Sequence, residues 1–144
     1  MTGLIGKVAE FSKTISESDV YLFAGITGDM NPVHTNIIHA EKSIVKARIA
    51  HGALVAGLIS TVIGMQMPGP GTIYMEQDSK FIKPVFIGDT VTAKVEVIEI
   101  INIEKRILKL NTTVRNQNNE IVIDGYAVIK VPKDKWMEKN EQNQ

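Results

Sequence analysis

Asp29, Asn31 and His34 share the seven-residue stretch GDMNPVH at 28–34, and His51 and Gly52 follow in IAHG at 49–52. A carboxylate and an imidazole this close can hold one water between them and act as general acid and general base. Such a pair lacks a group to stabilise the negative charge that develops on a carbonyl oxygen. A helix that begins at Gly52 supplies one, because its first backbone amides have no partner within the helix and point outward at the N-terminal end. Glycine suits that place, since no Cβ blocks a close-lying acyl group. Acid, base and oxyanion donor without a nucleophile point to proton transfer or lyase chemistry beside a carbonyl. No GxSxG elbow accompanies any of the serines, which disfavours a serine hydrolase.

Plainer readings exist for each residue. Asp and Asn in a bare GDxNP cap turns and helices through their short side chains, and His34 and His51 can be an exposed loop residue and a buried, hydrogen-bonded ring. A metal reading would enlist Asp29, His34, His39 and His51. Their spacing matches neither an HxxxH pair on one helical face nor a zinc finger, so no metal is expected.

These groups need elements to position them. A capping box at Ser16 to Asp19 predicts a helix over about 17–26, preceded by a strand at 7–14 and followed by an irregular loop from Gly28 to Thr35 that Pro32 enforces. A short helix is expected over 39–47. Residues 52–66 are apolar on nearly all sides, which reads as a helix buried in the core, with Gly57 and Gly64 allowing another backbone to approach closely. The PGPG turn at 68–71 ends it. Period-two alternation then marks four antiparallel strands, at 72–82, 91–100, 107–115 and 121–131, the last two joined by a hairpin at NQNN 116–119. The order is that of an α+β protein: a single domain over 1–132, with a sheet curled round a long helix, and a polar tail over 133–144 expected to lack regular structure.

The whole chain sets outer limits. Its 144 residues suit one domain. Sixteen basic residues balance sixteen acidic ones, which leaves no overall field to attract nucleic acid or an anionic membrane. With no cysteine there is no thiolate ligand and no cysteine nucleophile. The longest apolar stretch, 53–67, is too short to span a bilayer, and no signal peptide is visible at the N-terminus. A cytoplasmic protein without a membrane partner is expected.

Taken in order, GDMNPVH, IAHG opening a Gly/Ala-rich helix, PGPGTIY at 68–74, Gln77, Phe81 and PVFIGDTV at 84–91 resemble the MaoC-like (R)-specific enoyl-CoA hydratases, over about residues 10–131. The resemblance implies a hot-dog fold, a curved antiparallel sheet wrapped round a central helix. It implies reversible addition of water across the 2,3 double bond of an acyl-CoA, or acyl carrier protein, thioester of short to medium chain length. Asp29 and His34 match the catalytic pair, Gly52 the residue whose amide binds the thioester carbonyl, and Asn31 and His51 lie beside them in the substrate-binding motifs. No cofactor is implied beyond the thioester substrate. Leu54, Leu58, Ser60 and Ile63 are expected along the acyl path, and Lys46, Arg48, Lys80 and Lys83 are candidates for the CoA phosphates. A homodimer is expected, with higher oligomers open. The alternatives are a thioesterase on the same fold, for which the absence of a carboxylate in 52–66 is unfavourable, and a non-catalytic acyl-binding subunit.

Overall fold

A computed structural model describes residues 2–136. After a single 3-10 turn at Thr2–Leu4 come strand β1 (Val8–Thr14) and helix α1 (Glu17–Thr27). Helices α2 (Pro32–Thr35), α3 (Ile37–Lys42) and α4 (Gly52–Met65) follow, then strands β2 (Ile73–Phe81), β3 (Thr90–Asn102), β4 (Ile107–Arg115) and β5 (Ile121–Lys130). The five strands form one antiparallel sheet in the order β1-β3-β4-β5-β2.

Alternation decides which face is covered. Val91, Ala93, Val95 and Val97 of β3, Leu108, Leu110 and Val114 of β4, and Ile123, Ala127 and Ile129 of β5 are buried. They form one core with Val55, Leu58, Ile59, Val62 and Ile63 of α4, which packs against β3, β1 and β4. Burial of one apolar face of the sheet against an apolar helix is the main stabilising term. The α+β arrangement expected of the sequence is therefore the one found.

Four local expectations need correction. The 28–35 segment is not wholly irregular: Gly28, in the left-handed region at φ 81°, closes α1 by donating its amide to Ala24 O, and Asn31 caps the one-turn helix α2 with Pro32 at its first position. Proline is tolerated there because the first amide of a helix has no internal partner. The helix expected over 39–47 is α3, which ends at Lys42; Lys46 beyond it has φ 64°, a conformation no helix contains. Gly57 and Gly64 admit no second backbone within the described chain, since nothing lies within 4 Å of a Cβ built on either. Finally, Trp136 packs into the core cluster, so the expected tail is ordered at its start, and residues 137–144 lie outside the described range.

The strands occur where alternation places them, but their neighbours differ. β2 and β3, joined through Pro84 to Asp89, lie far apart: β2 forms the edge beyond β5, and β3 sits beside β1. The β4–β5 hairpin is interior, with β3 on one side and β2 on the other. The two edges are β1 and β2.

Candidate active site

Three elements converge beside the start of α4. The loop after α1 carries Asp29, whose amide bonds to Thr27 Oγ1 at 3.2 Å and whose Oδ1 accepts from the Asn31 amide at 3.2 Å. Asn31 Oδ1 in turn accepts from the Val33 amide. Asn31 thus engages its side-chain oxygen in capping α2. The cap orients α2 so that His34, three residues on, is buried.

The stretch before α4 is pinned on both sides. The Ile49 amide bonds to Val33 O at 3.2 Å, and the Ala50 amide to Val85 O at 2.7 Å. His34 Nδ1 lies 2.6 Å from Ile49 O. A carbonyl oxygen only accepts, so Nδ1 carries a proton, and in the corresponding neutral tautomer Nε2 is bare. The His51 ring is 3.9 Å from that of His34, centroid to centroid, with the planes 29° apart. Donor atoms of Asp29, His34 and His51 all lie within 4.8 Å of one another. Two hydrogen bonds of about 2.8 Å meeting at one water oxygen span a gap of this size. The same three residues are the candidate metal ligands among the described residues, and His39 is not with them. The two imidazoles are stacked, and each has one nitrogen on a backbone carbonyl, His34 on Ile49 O and His51 on Asp29 O.

An apolar cavity of about 540 Å³ opens beside them, walled by His34, Ile49, Gly52, Val55, Phe81 and Ile123 among others. Gly52 is the first residue of α4, and its amide has no acceptor within the helix. A Cβ at Gly52 would meet the Phe81 ring, 2.7 Å from Cε1. The glycine therefore leaves room for an aromatic ring at the mouth of the cavity, a contact invisible in sequence. Leu54, Leu58, Ser60 and Ile63, expected along the acyl path, are not in this wall: Leu58 and Ile63 are in the core, Leu54 packs on it, and Ser60 is exposed. The helix phase turns Gly52, Ala53 and Val55 toward the cavity instead.

Three of the four cations proposed for phosphate contacts are engaged with carboxylates. Arg48 pairs with Glu17 at 3.0 Å and donates to the Tyr21 hydroxyl, Lys80 pairs with Asp78 at 2.9 Å, and Lys83 pairs with Glu120. The Tyr21 hydroxyl, with Arg48, holds the Glu17 carboxyl below its ordinary value. Lys83 also lines the cavity.

Residues 2–119 match the MaoC like domain, and the chain belongs to that family. It is 50% identical over 127 residues to an (R)-specific enoyl-CoA hydratase of Rhodospirillum rubrum, spanning 88% of this chain and 87% of the relative. It is 47% identical over 129 residues to a 3-hydroxybutyryl-CoA dehydratase of Methylorubrum extorquens, spanning 90% and 81%. Among solved structures, an (R)-hydratase from Aeromonas caviae superposes with a TM-score of 0.86 at 38% identity, over 89% of this chain and 96% of that one. The sheet and its packed helix are thus a hot-dog fold. None of the described helices is long and apolar enough to cross a membrane.

Proposed function

We propose that the protein is an (R)-specific 2-enoyl-CoA hydratase, a hydro-lyase that reversibly adds water across the 2,3 double bond of a short to medium acyl thioester. The observation that carries this reading is the meeting of Asp29 and His34, within 4.8 Å, beside an apolar cavity whose wall includes the amide end of α4. The names of the relatives support it.

The geometry supports one assignment of roles. The thioester carbonyl oxygen binds the Gly52 amide, which stabilises the enolate charge that develops as C3 is attacked. Neutral His34 accepts the water's proton at Nε2 while the hydroxyl adds to C3, and the imidazolium returns a proton to C2. Asp29 holds the second hydrogen of the water and orients it. Atoms balance, since water supplies both the hydroxyl and the hydrogen, and the chain's own groups perform each step.

The apolar edge strand β2 supports a homodimer joined along it. Ile73, Met75 and Phe81 on it and Ile82 just past its end are more than half exposed, and a bare apolar edge is otherwise a site of uncontrolled pairing. A thioesterase reading loses ground because α4 carries no carboxylate.

The test is hydration of crotonyl-CoA followed by loss of its enoyl absorbance, with chiral analysis of the product. The expected product is the (R)-3-hydroxyacyl thioester. Asp29→Asn is expected to lower kcat about 10²- to 10⁴-fold, the usual contribution of a positioned acid or base. Unchanged turnover in that variant would remove Asp29 from the mechanism.

A further inference from the structure

His51 is 2% exposed, more deeply buried than His34, and performs none of the steps above. It stands at the N-cap of α4, yet its side chain makes no capping bond. Its ring is committed elsewhere. Nε2 donates to the Asp29 main-chain oxygen at 3.0 Å, the ring stacks on His34, and Phe23 of α1 packs against it at 4.7 Å. With the proton on Nε2, Nδ1 is bare, and it is buried without a hydrogen-bond partner.

We propose that His51 is a positioning residue for the hydration, tying the main chain that carries Asp29 to the imidazole of His34. The inference rests on the acid–base reading of those two residues. The cavity wall includes both neighbours in sequence, Ala50 and Gly52, but not His51, so the ring acts through other groups rather than on substrate. This replaces its expected place among the substrate-binding residues.

Two observations argue for imidazole in particular. Phenylalanine would satisfy the stack on His34 and the contact with Phe23, and it would leave no unpartnered nitrogen in the core, which is itself a cost in stability. What imidazole adds is the Nε2 donor that holds Asp29 O. A conventional Ser, Thr, Asp or Asn cap would spend its side chain on the second or third amide of α4. His51 makes no such bond, and its ring holds the Asp29 main chain instead. One residue thus secures the Asp29 loop and supports the His34 ring, which is the support a constellation held to within about 0.5 Å requires.

The test compares His51→Phe, which keeps the ring and loses the donor, with His51→Gln, whose amide nitrogen can reach Asp29 O but cannot stack. On crotonyl-CoA, kcat is expected to fall about 10- to 100-fold in each, the loss typical when an orienting partner is removed. KM should stay within about twofold, as for an interaction felt mainly in the transition state. His51→Phe should melt at or above the wild-type temperature, which separates positioning from folding. A raised KM at unchanged kcat would put His51 on the substrate, and unchanged kinetics in His51→Phe would make it core packing; either overturns the proposal. ¹⁵N NMR of the histidine side chains is independent of turnover. Wild-type His51 is expected as the Nε2–H tautomer and His34 as Nδ1–H, and an Nδ1–H tautomer for His51 would also overturn the proposal. Should wild-type protein hydrate no enoyl thioester, the functional reading fails by itself, and the tautomers still decide whether His51 holds the Asp29 loop.

Discussion

At Gly52 a single hydrogen atom separates two outcomes. A Cβ there would stand 2.7 and 2.9 Å from Cε1 and Cδ1 of Phe81, too close for both to remain. Phe81 is 59% exposed, so its ring can swing aside, and Gly52→Ala should melt within a few degrees of the wild type. The displaced ring then lies across the approach to the Gly52 amide. We expect kcat/KM for crotonyl-CoA to fall at least tenfold, about 1.4 kcal/mol of transition-state binding, measured beside a thermal melt. Recovery of activity in Gly52→Ala with Phe81→Leu would trace the loss to that collision. Asp29, His34 and Gly52 were legible as candidates because each lies in a short motif whose chemistry is local. Phe81 as their neighbour was not, since the contact bridges positions 52 and 81 through the fold. The residues expected along the acyl path are absent from this cavity wall for a related reason: an almost uniformly apolar helix gives no sign of which side faces a cavity.

Elements hold these residues at the correct spacing, and two of them make separate predictions. The capping box of α1 was readable from Ser16 and Asp19, and both of its bonds form. The Ser16 amide, donating to the Asp19 carboxylate at 2.9 Å, holds its pKa below the ordinary 3.8 against the opposing effect of desolvation, and Lys13 at 3.1 Å adds to it. A carboxyl whose folded pKa is depressed contributes stability above its unfolded pKa and loses it as pH falls through the folded value. The Asp19 contribution is therefore complete above about pH 4 to 5 and declines as pH falls toward the depressed folded value, so Asp19→Asn should narrow its deficit relative to the wild type in urea melts at pH 3 compared with pH 7. Ser16→Ala should cost about 1 kcal/mol at neutral pH. Gly125 makes a harder demand. A Cβ there would lie 1.8 Å from Asp78 O of the paired strand β2, and backbone cannot yield as a side chain can. Gly125→Ala is expected to lose about 2–4 kcal/mol, as severe overpacking does, read as a lowered urea midpoint. That glycine looked unremarkable in sequence because strand partners were not legible: alternation identifies strands, and only the fold shows that β2 lies against β5 rather than β3.

For the whole molecule, the exposed edge and the cavity share residues. Phe81 and Ile82 line the cavity and are also more than half exposed, so a partner along β2 would close the cavity that a lone chain leaves open to water. Exclusion of water strengthens the Gly52 amide and the Asp29/His34 pair alike, because electrostatic interactions gain strength in a low-dielectric site. Activity and association are then one equilibrium. Sedimentation of the wild type should give twice the 15.9 kDa chain mass, and specific activity should fall as the enzyme is diluted below the dimer dissociation constant. Met75, 54% exposed on β2, lies outside the cavity wall, so Met75→Lys should weaken the pairing without touching a reacting group. The expected result is a monomer with kcat/KM reduced about tenfold or more, partly restored at high protein concentration. A Met75→Lys monomer with wild-type kcat/KM would show that each chain carries a complete site and that the apolar edge serves assembly alone.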